Sequence, residues 1–282
     1  MSVDVKNLTF VYNKGLPFET TALDEVSCSF RKGKITGIMG RTGCGKTTLV
    51  QLIAGLEVPA SGSILIDGED INADSYDRTA LRRRLGIVFQ YPERQLFEAT
   101  VYKDVGFGLK HFGLSEEEKK ERIYEALETM GFDPKAVESR SPLAASGGEK
   151  RRLAIAGVLA VRPEYLILDE PVAGLDPAGR EVFEEVIRDL NRKGMTIIVV
   201  SHNGDFIADI TDDLIVMEKG KIAMLGSTVE VFSDIDGLKE LGIGVSRARE
   251  IADSLKKRGV EIKDDIITVD ELVRALTERG RC

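Results

Sequence analysis

The sequence predicts an α/β fold: a parallel sheet core, an antiparallel β layer beside it, a helical insert and a small C-terminal α/β appendage. Three observations predict it. Short apolar runs at 34–39, 165–168 and 196–200 suit strands buried on both faces. Helix-like segments follow the first two of these runs, giving the strand–helix alternation of a parallel sheet. Between about 100 and 160 the alternation gives way to a stretch that reads as helical.

In chain order, residues 3–12 and 26–31 read as strands joined through a Gly15-Leu16-Pro17 loop. Residues 63–66 form another strand, closed by the tight-turn pair Asp67-Gly68. Ser115 with Glu118 is a capping box opening a helix that stops near Gly131. Ser146 with Glu149 is a second capping box, opening a helix through 150–160. Residues 179–193 place Val182, Phe183, Val186, Ile187 and Leu190 on one helix face, ended by Gly194. In the tail, 246–258 is amphipathic through Ala248, Ile251, Ala252 and Leu255, and 261–267 reads as a short strand. Thr268 and Glu271 then cap a last helix with Leu272, Val273 and Leu276 inward. The domain reading is 1–228 as the core, with its helical part at about 100–160, and 229–282 as the appendage.

The chemistry concentrates at strand ends. Residues 40–48 read Gly40, Arg41, Thr42, Gly43, Cys44, Gly45, Lys46, Thr47, Thr48, a full G-x-x-x-x-G-K-[ST] match between a strand and a helix. The glycines let the backbone turn its amides inward, and those amides with the helix N-terminus attract phosphate oxygens. Lys46 adds a point charge, and the Thr47 hydroxyl suits Mg²⁺. Cys44, beside a helix N-terminus, is expected to be a reactive thiol protected by bound phosphates. Asp169 and Glu170 follow the strand 165–168 at its carboxyl end, where open α/β sheets bind ligands. Asp169 is placed for the metal, and Glu170 for general-base work on water. His202 ends the strand 196–200 and is favoured as functional, whereas His111 has no such context. Gly147 and Gly148 weaken a helix start by up to about 1 kcal/mol each, which plain capping does not explain.

These residues resemble the nucleotide-binding subunit of ABC transporters. The resemblance covers about residues 3–225, with the motifs in the family's order. It implies a P-loop NTPase fold with a RecA-like parallel sheet core and a helical signature subdomain. It makes Gly40 through Thr47 the Walker A loop, Gln90 the Q-loop glutamine, Ala145 through Glu149 the signature and 165–169 Walker B with catalytic Glu170. Ala173-Gly174-Leu175-Asp176 becomes the D-loop, His202 the switch histidine and Tyr12 the aromatic that stacks on adenine. The implied cofactors are ATP and Mg²⁺, with Thr47, Gln90 and Asp169 as metal residues. ATP-binding residues are Tyr12, the loop, and, toward a partner's ATP, Ser146, Gly147, Gly148, Glu149 and Asp176. The chain departs from the family at Ala145 for leucine, Glu149 for glutamine, Ala173 for serine and Asn203 for aspartate.

The segment from Gln90 through Phe97 to Gly108 resembles the ATP-binding subunits of energy-coupling factor transporters, especially the second of two paralogues that pair as a heterodimer. Those complexes import vitamins or transition-metal ions. The resemblance implies a second, non-identical ATPase subunit, an integral membrane coupling subunit and a substrate-binding membrane subunit as partners, and a peripheral place on the cytoplasmic face of the membrane. Leu96, Phe97, Val101 and Phe107 then mix core residues with a groove edge that receives a membrane-subunit helix. Glu149 either faces the partner's triphosphate or turns to the ribose or to its own helix. Other readings are the ATPase of another ABC importer or exporter and, remotely, a soluble non-transport ABC ATPase.

Composition agrees. A net charge of −8 over 282 residues argues against a nucleic-acid partner. The dense basic runs, 82–84 and 150–152, are expected on solvated faces. Cys28, Cys44 and Cys282 show no pairing or metal spacing, and a cysteine within a phosphate loop implies a reducing compartment. The longest apolar stretch, 153–161, falls short of the about 20 residues a membrane span needs. The appendage reads either as a dimerisation or regulatory element or as a helical add-on with its own core.

Overall fold

The computed structural model describes residues 2–279, so Cys282 lies outside the described residues. The chain divides into two compact units, Met1–Tyr76 with Ile198–Cys282, and Asp77–Ile197. The division falls within the strand Thr196–Val200.

In the first unit, the strand Ser2–Tyr12 pairs antiparallel with Thr20–Arg31 on one side and with Ser61–Ile66 on the other. Val3, Val5, Leu8 and Phe10 are buried. The two-residue alternation jumps a step at Asn7, whose φ of 46° marks a bulge between Val5 and Leu8. The bulge keeps apolar side chains on one face across the shift. The second strand starts six residues before its sequence expectation, because Thr20, Thr21, Asp24 and Glu25 hide its period. Asp67 and Gly68, both at positive φ, turn the chain into the short edge strand Glu69–Asp70 as expected.

The strand Ile35–Gly40 is buried at every residue. It runs parallel to Asp213–Glu218, which pairs antiparallel with Lys221–Ser227. Asp212 and Asp213 pin this arrangement: Asp212 accepts from the Ile35 amide at 2.9 Å and Lys34 at 2.8 Å, and Arg31 holds Asp213 with two bonds.

The tail forms helices Thr228–Ser233, Ile235–Glu240, Arg247–Lys257 and Val269–Arg279. Ala248, Ala252, Ile266 and Leu272 make a small core, with Leu255, Ile262 and Ala275 against it. The expected strand at 261–267 does not form. Asp264 is drawn to Lys256 at 2.6 Å, and the Ile267 amide donates to Glu271 at 2.9 Å, so these groups serve a turn and a helix cap. Ile251, Val273 and Leu276, expected inward, are exposed, because the small core is filled by residues one helical face away.

In the second unit, Leu85–Val88 and Tyr165–Asp169 pair in parallel, with Val88 opposite Leu168. The expected helical stretch is built in pieces: Val101–Val105, Glu116–Thr129, Pro134–Val137 and Gly147–Leu159, with 3₁₀ turns at Phe107–His111 and Pro142–Ala144. Ser115 and Glu118 form the expected capping box, and the helix ends at Thr129 before Gly131. His111 is exposed at the end of its turn. The helix Pro177–Arg192 buries Phe183, Ile187 and Leu190, whereas Val182, expected beside them, is exposed. Among the described residues no helix is long and apolar enough to cross a membrane.

Candidate functional site

The phosphate loop is shaped by its own unit. A Cβ on Gly40 would stand 2.5 Å from the Met217 carbonyl and 2.6 Å from Cys44 Sγ. A Cβ on Gly45 would stand 2.6 Å from the Ala22 carbonyl. Both positions therefore require glycine, since real Cβ atoms do not approach backbone so closely. Gly45, at φ 106°, opens the helix Lys46–Ile53. Lys46 Nζ donates to the Gly40 carbonyl at 2.7 Å and the Arg41 carbonyl at 3.1 Å, closing the loop over its own entry. Arg41, Thr42, Gly43 and Thr47 are exposed along it. Thr48 is buried, and its hydroxyl lies 3.1 Å from the Tyr12 hydroxyl. Tyr12 itself is exposed and meets Phe10 edge-on at 4.8 Å.

Cys44 is buried, contrary to the expected reactive thiol. Its side chain fills the space that Gly40 leaves, so a reagent reaches it only when the loop opens. Cys28 is also buried, and desolvation, with Asp4 adding to it, pushes its thiol up to about 12.

His202 belongs to the same unit. The Ser201 amide donates to the Ile38 carbonyl at 3.2 Å, so His202 emerges beside the strand that feeds the loop. It is exposed. Asn203, in place of the family's aspartate, caps the helix Gly204–Ile210 through the Phe206 amide at 3.0 Å.

In the second unit, the Val88–Leu168 register brings Gln90 and Glu170 to one carboxyl edge, two residues beyond each partner. Gln90 is exposed and Asp169 is buried. Glu170 holds a φ of 50°, an uncommon conformation for a non-glycine residue. Asp176 caps the helix Pro177–Arg192 through the Gly179 amide at 2.7 Å, so that side chain already has a structural task.

The signature helix opens as its capping box demands. The Glu149 amide donates to Ser146 Oγ at 3.3 Å, and the Ser146 amide donates to Glu149 Oε2 at 2.8 Å. These bonds, backbone first, hold the Glu149 carboxyl below the usual glutamate range, with Arg140 and Arg152 adding to the shift. Glu149 thus turns to its own helix, the third of its possible orientations. A Cβ on Gly147 or Gly148 would meet nothing within 4 Å.

The run 150–152 is not a solvated face. Arg151 is 6% exposed. Its Nη1 donates to the Ala173 carbonyl at 2.6 Å and to the Pro171 carbonyl at 3.4 Å, and its Nε lies 3.6 Å from Glu93 Oε2. Arg152 lies over the Phe132 ring at 5.1 Å. The basic pattern gave no hint of this, because burial of an arginine depends on carbonyls supplied from another segment.

After Gln90, Leu96 is 6% exposed and Val101 is buried, which places both in the core. Phe97 is 60% exposed and meets Phe107 edge-on at 4.8 Å. Asp104 anchors this corner by accepting from the Phe97 and Glu98 amides at 2.9 and 2.7 Å.

The family model described as ABC transporter matches residues 23–173, more than half of the chain. The chain belongs to the ABC transporter family. Relatives narrow the group. The energy-coupling factor transporter ATP-binding protein EcfA2 of Caldanaerobacter subterraneus subsp. tengcongensis is 47% identical over 272 residues, covering 96% of this chain and 95% of its own length. The protein of the same description from Clostridioides difficile is 44% identical over 288 residues, covering all of both chains. Among solved structures, CbiO1 from Clostridium perfringens, described as part of the ABC transporter complex CbiONQ, aligns with a TM-score of 0.75 at 35% identity, over 90% of this chain and 98% of its own. The ATP-binding cassette MJ0796, solved as a dimer in a post-hydrolysis state with ADP and phosphate, aligns at 0.70 and 28% identity, over 80% and 98%. Membership settles the fold as that of a P-loop NTPase. It also settles the reaction class as ATP hydrolysis coupled to transport, in an energy-coupling factor importer.

Proposed function

We propose that this ATPase powers micronutrient import, of a vitamin or a transition-metal ion, from the cytoplasmic face of the membrane. The observation that carries the mechanism is Glu170, held at a φ of 50° directly after buried Asp169 at the carboxyl end of its strand. Such a conformation occurs at bulges and turns as well as at functional sites, and here it falls on the carboxylate that follows Asp169 at the strand's carboxyl end. Tyr12 packs against adenine. The loop from Gly40 to Thr48 wraps the phosphates, and Lys46 exchanges its loop carbonyls for phosphate oxygens. Glu170 takes the proton of the attacking water, and His202 and Gln90 orient that water.

The donors Thr47, Gln90 and Asp169 are hard oxygens, the set that fits Mg²⁺, an ion held largely by water and substrate phosphates. When bound, the ion neutralises phosphate charge.

Ser146, Gly147, Gly148 and Glu149, with Asp176 nearby in sequence, close on the ATP of a second subunit. The open space over Gly147 and Gly148 supports this, because their lack of side chains has no use within this chain. That second subunit is a non-identical paralogue. The resemblance of the segment after Gln90 supports this; Glu149 does not, since it caps its own helix. An integral membrane coupling subunit docks at the exposed Phe97–Phe107 corner, beside a substrate-binding membrane subunit.

Glu170→Gln tests the reading. ATP binding is retained and hydrolysis in the assembled transporter falls by about 10²–10⁴. Hydrolysis near the wild-type rate would remove Glu170 as base. Phe97→Asp leaves nucleotide binding intact and abolishes co-purification with the membrane subunit; normal co-purification would refute the docking corner.

A further inference from the structure

We propose that Arg151 is a positioning residue that ties the segment after Gln90 to the turn that follows Glu170. The inference rests on Glu170 as the base and adds a route by which the docking corner acts on it.

Three observations converge on this side chain. The guanidinium grips the Pro171 and Ala173 carbonyls, on either side of Val172. That turn leaves Glu170 in its left-handed conformation, and the Ala173 amide donates back to the Glu170 carbonyl at 3.2 Å. The opposite edge of the same guanidinium faces Glu93, in the 3₁₀ turn Pro92–Gln95 that opens after Tyr91, itself at a φ of 59°. A guanidinium is planar and rigid, so a displacement at Nε is carried to Nη1. One buried group therefore bridges two turns whose entry residues both sit at positive φ.

The bridge is unequal. Its carbonyl end is tight at 2.6 Å, while its carboxylate end stands at 3.6 Å, well beyond the about 2.7–2.9 Å of a charge-assisted hydrogen bond. Glu93 Oε2 is buried and has no hydrogen-bond partner. A buried carboxylate oxygen left unbonded favours any movement that shortens the pair. There is room for such movement: a cavity of about 390 Å³ is lined by Arg151, Gly174, Leu175 and Asp176. When a partner presses on the corner after Gln90, Glu93 closes on Arg151, the guanidinium shifts, and the turn behind Glu170 moves with it. The slack end is thus the input and the tight end the output.

The test reads the turn and the chemistry separately. Hydrogen exchange at the Ala173 and Leu175 amides is measured in the full chain for Glu93→Gln, Arg151→Gln, Arg151→Lys and the double variant Glu93→Gln/Arg151→Gln. ATPase kcat and KM are measured in the assembled transporter. Arg151→Gln speeds exchange at the turn about tenfold and lowers kcat with KM for ATP unchanged. Arg151→Lys does not rescue it, because an ammonium cannot span both partners. Glu93→Gln, a substitution in a part-exposed turn that does not threaten folding, lowers kcat in the transporter, and the double variant is no worse than Arg151→Gln alone. Unchanged exchange at the turn in Arg151→Gln, full rescue by lysine, or independent multiplication of the two effects would overturn the proposal. Glu170→Gln, run alongside, separates the two readings: full hydrolysis there removes the base, while the exchange data still judge the clamp.

Discussion

Two glycine-rich turns of this chain differ in what surrounds them. At the phosphate loop, a side chain on Gly40 or Gly45 would collide with carbonyls of the loop's own unit. At the start of the signature helix, a side chain on Gly147 or Gly148 would touch nothing. The first turn is glycine-rich because the fold needs it. The second meets no such crowding among the described residues, and on the proposed function its glycines serve the partner's ATP. Glycine at a helix start lowers stability, so a folded chain by itself has no use for two of them.

Gly148→Val breaks the comparison most directly. With open space to enter, the valine leaves the melting temperature unchanged or slightly raised and the chain's own ATP affinity unchanged, while ATPase activity of the assembled pair falls about 10²-fold, the scale of losing preorganised donors at the phosphates. Full activity in the assembled transporter would show that the second turn is a plain cap. Gly45→Ala gives the opposite pattern. Its methyl group strains the loop by about 1–3 kcal/mol, so the variant melts earlier and binds ATP about tenfold more weakly even alone. An unchanged melt would contradict the crowding around the loop.

The smallest effect lies at Glu149. Its carboxyl is lowered by the Ser146 bonds, so its contribution is present above the usual glutamate value of about 4.3. That contribution is lost as pH falls through the lower folded-state value. Glu149→Gln keeps the cap at neutral pH and removes this dependence. Acid melts of the two chains should coincide near pH 7 and differ in slope below about pH 4.3; parallel melts would place the carboxylate elsewhere.

Most of the loop was legible in the sequence, because its chemistry is local: a strand, eight consecutive residues and a helix. The capping boxes at Ser115 and Ser146 were legible for the same reason, since each links residues three apart. What escaped were properties set by distant segments. Arg151 reads as one more surface cation until Pro171 and Ala173 supply carbonyls for it. Cys44 reads as a reactive thiol until Gly40 and its neighbours enclose it. The segment 261–267 has a strand's composition, but a strand needs a partner edge, and its groups are taken by Lys256 and Glu271. Leu96 and Phe97 are adjacent and equally apolar, yet only the structure separates core from corner.

The open space above Gly147 and Gly148 has a genetic consequence. A lesion at Gly45 weakens the chain that carries it, so quality control removes the product and an intact second gene copy can mask the loss. A lesion at Gly148 yields a chain that folds, persists and takes its seat in every assembly it enters. Such an allele would behave as a dominant negative, lowering uptake even where normal chains are present, and the two glycine turns would fall into different inheritance classes.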